Sequence, residues 1–451
     1  MAKYQKYAEY KDSGVEWLGD IPSHWIATAL KRYAKITDGS HHSPKIESEG
    51  FPFVSVTDVG INNINFVDAK KITENDYLRL VKEGCKPAVN DVLLTKDGTI
   101  GRACIVTEDM PDFVILSSLG LITPNKEISS HFLYYYLVSG INVDQMNSVI
   151  HGSALKRMTI NKINDLIFTF PDFYEQEKIA NFLDHETAQI DTLIAKQEKL
   201  IELLKEKRQA VISHAVTKGL NPHVAMKDSD VEWLGKVPEH WNVLPIKYLT
   251  KYVGTGGTPK NQSSFAEVPE INWFTPGDFS GDLKIVDSSK YVTFSSVEDG
   301  DSKLYEGKSV LMIGIGATLG KVAISDRDFS CNQQINVLTC NKLINPEFLT
   351  FSLMSQLEQI KQLSNSSTIG IINQEKTKQI SISVPSVEEQ NKIIHFIMGN
   401  IEKFNTLINK AESAIQLMQE RRTALISSAV TGKIDVRNWQ HPNEAKTELS
   451  L

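Results

Sequence analysis

Phosphate binding is the first chemistry that the residue types offer. The run GIGATLG, Gly314 to Gly320, is followed by Lys321. Its glycines, Gly314, Gly316 and Gly320, miss the G-x-G-x-x-G spacing, and Val322 stands where a phosphate loop needs Ser or Thr after the lysine. A β-turn is the reading that remains. His41 and His42 in TDGSHHSPK offer metal ligation, but adjacent residues seldom converge on one ion and no carboxylate or cysteine pattern accompanies them. Cys85, Cys104, Cys331 and Cys340 form no CxxC pair and have no histidine at zinc-finger spacing, so they read as reduced, mostly buried thiols. No NPPY-like or DPPY-like amino-methyltransferase motif occurs, and no convincing nuclease or helicase signature. The expectation is no catalytic residue and no metal; methylation or cleavage would need other chains.

What the loops do carry is hydrogen-bond donors on flexible backbone. Ser40, His41, His42 and Lys45 lie in one such loop, and Lys96, Thr99 and Arg102 lie in and beside GTIGRA. Ser153, Lys156 and Arg157 belong to HGSALKR. Later in the chain the same characters recur: Thr255, Thr258, Lys260 and Asn261 in TGTGGTPKNQ, Thr318 and Lys321 in ATLGKV, and Ser366, Ser367 and Thr368 in SNSSTIG. Hydroxyls, imidazoles and ammonium groups suit phosphates and base edges, and small residues permit close approach to a nucleic-acid backbone. These are the candidate DNA contacts; ordinary solvated turns are the competing reading.

The chain that must position them has 451 residues, 41% hydrophobic and 23% charged, enough for two or more packed domains. With 48 Lys and Arg against 55 Asp and Glu the formal charge is -7, so any polyanion must meet a local basic surface. The N-terminus lacks an apolar signal core and no run of about 18 apolar residues occurs. A cytoplasmic protein is expected, without a membrane partner.

The sequence is written twice. DSGVEWLGDIPSHW from Asp12 returns as DSDVEWLGKVPEHW from Asp228, 216 residues on, and EKRQAVISHAVTKG from Glu206 returns as ERRTALISSAVTGK from Glu420, 214 residues on. The pairs Trp17 and Trp25, Trp233 and Trp241 suggest a proline turn clamped by two large aromatics. About 140 residues of short β-type runs follow in each copy: FPFVSV, DVLLT, ACIVT and FVILSS, then SVLMIGIG, KVAIS and INVLTC. This middle part diverges strongly, which suggests two ligands or two halves of one.

Each copy ends in a helical pattern. After Pro171, apolar residues fall at Ile179, Leu183, Ile190, Leu193, Leu200, Leu204 and Val211, with Glu186, Gln197 and Lys207 in the remaining slots. After Pro385 the register gives Ile393, Ile397, Phe404, Leu407, Ala411, Ala414, Met418 and Leu425, with Asn400 and Arg421 interrupting. Such stripes must be covered, and an intramolecular antiparallel coiled coil covers both; a homodimer is the alternative. Helices of about 40 residues span about 60 Å and would act as a ruler. VTKGLNPHVAMKDSDVEWLG between the copies is mirrored by VTGKIDVR at the C-terminus continued by YAEYKDSGVEWLG at the N-terminus, so the duplication is cyclic and the termini should meet. The expected fold is α+β: a first mixed domain over 1–172, a helical spacer over 173–217, a second mixed domain over 218–386, a second spacer over 387–433 and a C-terminal tail over 434–451, polar from about Asn438.

VEWLGxIPxHW, the paired GT-I-G-R and AT-L-G-K turns, and E-x-x-x-I-x-x-F-[LI] leading into [KR]-R-x-A-[LV]-I-S-x-A-V-T together resemble a type I restriction-modification specificity subunit. The resemblance covers nearly the whole chain. It implies two target-recognition domains, each reading one half of a split, asymmetric DNA sequence, with two helical regions that set the gap. It further implies docking of two methyltransferase subunits on the helices, for which Lys207, Arg208, Arg421 and Arg422 are the interface candidates. S-adenosylmethionine would belong to those subunits, ATP and Mg to motor-nuclease subunits, and no cofactor to this chain. The alternative is a duplicated coiled-coil scaffold that assembles proteins without reading DNA.

Overall fold

The computed structural model describes residues 4–150, 157–364 and 370–442. It divides into two compact units, one made of 1–198 with 413–451 and the other of 199–412. The divide therefore passes through both long helices instead of isolating them as separate spacers.

In the first unit an antiparallel sheet runs in the spatial order Ala34–Asp38, Leu119–Pro124, Val92–Thr95, Ala103–Ile105. A smaller sheet joins Phe51–Val54 to Lys70–Ile72 and, in parallel, to Val114–Ile115. The second unit repeats the main sheet with Thr250–Thr255, Ile335–Cys340, Val310–Ile313 and Val322–Ile324, all antiparallel. Its smaller sheet joins Ile271–Phe274 to Tyr291–Val292 and, in parallel, to Phe329–Cys331. The central strands are buried on both faces, which is why Val92, Leu93 and Leu94 read as a continuous apolar run.

The long helices span Phe173–Lys218 and Val387–Val430. Asp172 caps the first by accepting from the Glu175 amide at 2.9 Å, and Ser386 caps the second by accepting from the Glu389 amide at 3.3 Å. Both stop at a glycine with positive φ, Gly219 at 74° and Gly432 at 71°. Within each unit, the start of one helix lies beside the end of the other. Arg422 Nε donates to Asp191 Oδ1 at 2.9 Å in the first unit, and Arg208 donates to Asn405 Oδ1 at 2.7 Å in the second. The pairing is antiparallel, because Thr169, just before the first helix, donates to the carbonyl of Val430 at 2.6 Å, and Ser383, just before the second, donates to that of Val216 at 2.8 Å.

The helical seam differs from the sequence expectation by one residue in places. Leu193, Leu200 and Leu407 are 51%, 43% and 48% exposed, while their neighbours Ile194, Ile201 and Ile408 turn inward. Periodicity alone could not choose between adjacent apolar residues. Ile190→Ala should therefore cost about 2–5 kcal/mol, as a buried deletion does, whereas Leu193→Ala should stay within about 0.5 kcal/mol. Urea denaturation of the two variants checks this, and equal losses would return Leu193 to the seam.

The cyclic closure is present in the first unit. Tyr10 donates to the Gly432 carbonyl at 3.0 Å, and the Asp435 amide donates to the Gln5 carbonyl at 2.9 Å. Ile434 and Val436 are buried and Trp439 packs edge-on against Phe182, so these three side chains join the first unit's core while Arg437 and Asn438 stay exposed. The tryptophan clamp also needs correction. Trp25 and Trp241 are fully buried, but Trp17 and Trp233 are 43% and 39% exposed, so only one indole of each pair anchors its turn.

Candidate nucleic-acid interface

In the first unit two loops and the segment that starts at Arg157 meet at one end of the main sheet. The loop from Gly39 joins the strand end through Ser40, which pairs in parallel with Leu116. The hairpin tip between Val92–Thr95 and Ala103–Ile105 carries Lys96, Thr99 and Arg102, and Arg102 closes the hairpin backbone with Thr95. The third segment enters at Arg157, which bridges Asp97, and the Met158 amide donates to the Lys96 carbonyl at 2.8 Å.

The second unit gathers the equivalent loops. The Gly257 amide donates to the Cys331 carbonyl at 2.9 Å, the Gly320 amide to the Ile313 carbonyl at 2.8 Å, and the Ile372 amide to the Gly314 carbonyl at 2.8 Å. Gly39 and Gly256, at matching places in the two units, demand glycine by proximity. A Cβ on Gly39 would come within 2.4 Å of the Leu116 carbonyl oxygen, and one on Gly256 within 2.1 Å of the Cys331 carbonyl oxygen. Gly39→Ala or Gly256→Ala should cost about 1–3 kcal/mol by forcing backbone to shift, and Gly257→Ala, with open space around it, about 0.5 kcal/mol or less. Thermal denaturation decides; tolerance of alanine at both positions would mean the loops are not held this way.

The candidate residues divide by exposure. His41 and His42 are exposed, and Ser40 is buried, its hydroxyl donating to the His42 carbonyl at 3.0 Å. Lys45 is exposed beside Glu47 at 2.8 Å. Thr99 and Arg102 are exposed, and Arg102 also donates to the Val59 carbonyl at 3.2 Å. Thr258, Lys260 and Asn261 are exposed, with Thr258 donating to Gln333 at 2.7 Å. Asp301 holds this loop: it accepts from Ser264 and from the amides of Lys260 and Asn261, and these bonds keep its carboxyl below the usual carboxylate range. Thr318 and Lys321 are half-buried at the second hairpin tip. Ser153, Lys156, Ser366, Ser367 and Thr368 lie outside the described residues.

Some candidates cannot serve in the role expected of them. Lys96 is 1% exposed, with its ammonium 3.0 Å from Asp38, so it reaches no ligand directly. Thr255 is occupied by Asn336, to which its hydroxyl donates at 2.9 Å. Arg208 and Arg422 are engaged across the helix pair of their own units, whereas Lys207 and Arg421 remain exposed. Sequence reasoning missed Asp38, Asp97 and Asn336, polar residues at strand ends that hold these loops; carboxylates beside a lysine were the available signal.

No group of three or more His, Cys, Asp or Glu among the described residues could hold a metal ion. Burial pushes the Cys104, Cys331 and Cys340 thiols up to about 12, leaving them protonated near neutral pH. No helix of the described residues is long and apolar enough to cross a membrane.

Known proteins share this arrangement. The family model for the type I restriction modification DNA specificity domain matches residues 41–203 and 238–417. The EcoBI specificity subunit of Escherichia coli is 21% identical over 455 residues, covering 96% of this chain and 91% of that one. A chain from a study of complex assembly and conformational transition in a type I system superposes with a TM-score of 0.70 at 14% identity, covering 92% of this chain and 99% of its own. The HsdS subunit of Thermoanaerobacter tengcongensis gives 0.50 at 13% identity, covering 92% and 98%. With both copies of its repeat matched, and with the same four-stranded sheet order in each, the chain belongs to the type I restriction-modification DNA specificity family.

Proposed function

We infer that this chain is the DNA sequence-specificity subunit of a type I restriction-modification complex, each unit binding one half of a bipartite, asymmetric target. The observation that carries the reading is one loop scaffold built twice with different exposed residues on it: His41, His42 and Arg102 in the first unit, Thr258, Lys260 and Asn261 in the second. Identical scaffolds would place two reading heads alike, and different side chains would read different bases. The chain itself catalyses nothing in this reading. Two methyltransferase subunits carrying S-adenosylmethionine dock on the long helices, with exposed Lys207 and Arg421 among the docking groups. Motor-nuclease subunits using ATP and Mg complete a cytoplasmic assembly.

The net charge of -7 is tolerable because DNA meets only the loops and the methyltransferase subunits add enclosing surface. Footprinting the complex with its methyltransferase tests the reading. Two protected segments whose centres lie about one helical turn apart, bound with a steep salt dependence, are expected. One contiguous or palindromic footprint would overturn it.

A further inference from the structure

The first unit buries a lysine where the second has none. Lys96 is fixed on both sides of its backbone: its amide donates to the Ser118 carbonyl at 3.0 Å and its carbonyl accepts from Met158. Gly314 occupies the equivalent place in the second unit, its amide donating to Gln334 at 2.7 Å and its carbonyl accepting from Ile372. The neighbouring strand reverses the exchange. Gly120 pairs with Asp38, and Asn336 pairs with Thr255 at the same point of the sheet. A Cβ on Gly120 would lie 3.9 Å from the Lys96 side chain, and one on Gly314 only 2.8 Å from the Asn336 amide nitrogen. One slot is thus filled by a lysine over a glycine in one unit and by an asparagine over a glycine in the other.

The asparagine solution is neutral and satisfied. Asn336 donates to the Ile372 carbonyl at 2.8 Å and to Thr377 at 3.0 Å, and accepts from Thr255. The lysine solution is charged. Its ammonium lies 3.0 Å from Asp38 Oδ1 and 3.9 Å from Asp97, which Arg157 also approaches at 3.2 Å. Asp38 Oδ1 is buried and makes no aligned hydrogen bond, so the ion pair is what holds it. Burying charge is costly and a neutral filling often serves stability as well or better. The second unit shows that this scaffold folds around a neutral one, so the fold does not account for the charge.

What the charge does hold is a chain leading outward. Asp38 Oδ2 lies 3.1 Å from His41 Nε2, and the His41 side chain is 64% exposed. With Nε2 held, Nδ1 is left for a ligand and the ring plane is oriented by the carboxylate. We propose that Lys96 is a positioning residue that acts through Asp38 to aim His41 at the Hoogsteen edge of a purine in the first half-site. The slot is the point at which the two units are set to read different sequences. This rests on the DNA-recognition reading above.

The test uses the complex with its methyltransferase and DNA libraries randomised separately in each half-site, read as methylation preference. His41→Gln and the neutral pair Lys96→Met with Asp38→Asn should each relax preference at least tenfold at the same position or two of one half-site. The other half-site should keep its wild-type profile. Combining all three changes should relax it no further. His41 is exposed, so H41Q folds whatever the slot tolerates, and an unchanged profile in H41Q overturns the proposal. So does a neutral pair that folds and keeps wild-type preference, or one that weakens both half-sites equally, as a purely structural role would. A wild-type complex with no preference at either half would instead overturn the DNA reading itself.

Discussion

Trp25→Ala is expected to lower the unfolding free energy by about 3–5 kcal/mol, the range for emptying a fully buried large aromatic site. Trp25 is 0% exposed and packs 5.7 Å from Tyr7. Gly432 must be glycine here, because a Cβ would come within 2.3 Å of Pro22 and 3.2 Å of the indole. The indole also donates to Glu175 Oε2 at 3.2 Å, a buried carboxylate that Tyr7 reaches at 2.7 Å and His24 at 2.8 Å. N-terminal segment, C-terminal segment and helix start are therefore joined through one side chain. Trp241 is equally buried in the second unit, but its indole nitrogen has no partner. Trp241→Ala should lose the packing alone and cost less by about 1.5–3 kcal/mol, the worth of a hydrogen bond to a charged group. Chemical denaturation of both variants measures the difference, and equal losses would show that the Glu175 contact contributes nothing.

Inserting one heptad into both long helices, between Glu198 and Lys199 and between Glu412 and Ser413, should lengthen the unread gap of the target by about three base pairs. Seven helical residues add about 10 Å, and DNA rises about 3.4 Å per base pair. The insertion points fall at the divide between the units, so the pairings of Arg422 with Asp191 and of Arg208 with Asn405 are each preserved within their own unit. A heptad in one helix alone mismatches the seam and should abolish assembly with the methyltransferase. Methylome sequencing reads the gap directly. A folded double-insertion complex with the original gap would refute the idea that helix length sets the spacing.

Sequence patterns made the duplication, the strands and the helix bounds legible, because each rests on a local signal. FPFVSV, DVLLT and ACIVT contain strands at Phe51–Val54, Val92–Thr95 and Ala103–Ile105, bounded by turn residues that mark them. Two elements were hidden by their own burial or composition. Ser130–Val138 is a helix with Phe132 through Leu137 all buried, so it shows no amphipathic period. Leu119–Pro124 contains Gly120 and Pro124 and reads as a break, yet it is a strand paired on both sides, with Ala34–Asp38 and Val92–Thr95. The site was legible as three polar loops per copy and no further. A lysine in a loop sequence reads as solvent-facing, and only the tertiary positions of Asp38 and Asp97 reveal that Lys96 is inside.

The central claim is that two differently furnished units read two halves of one DNA target. Co-expression with the neighbouring methyltransferase subunit, followed by mapping of methylated adenines across host DNA, tests it most directly. A two-part, asymmetric motif with a fixed unread gap is the predicted result. A complex that assembles but methylates a contiguous or palindromic motif, or no motif at all, would contradict it.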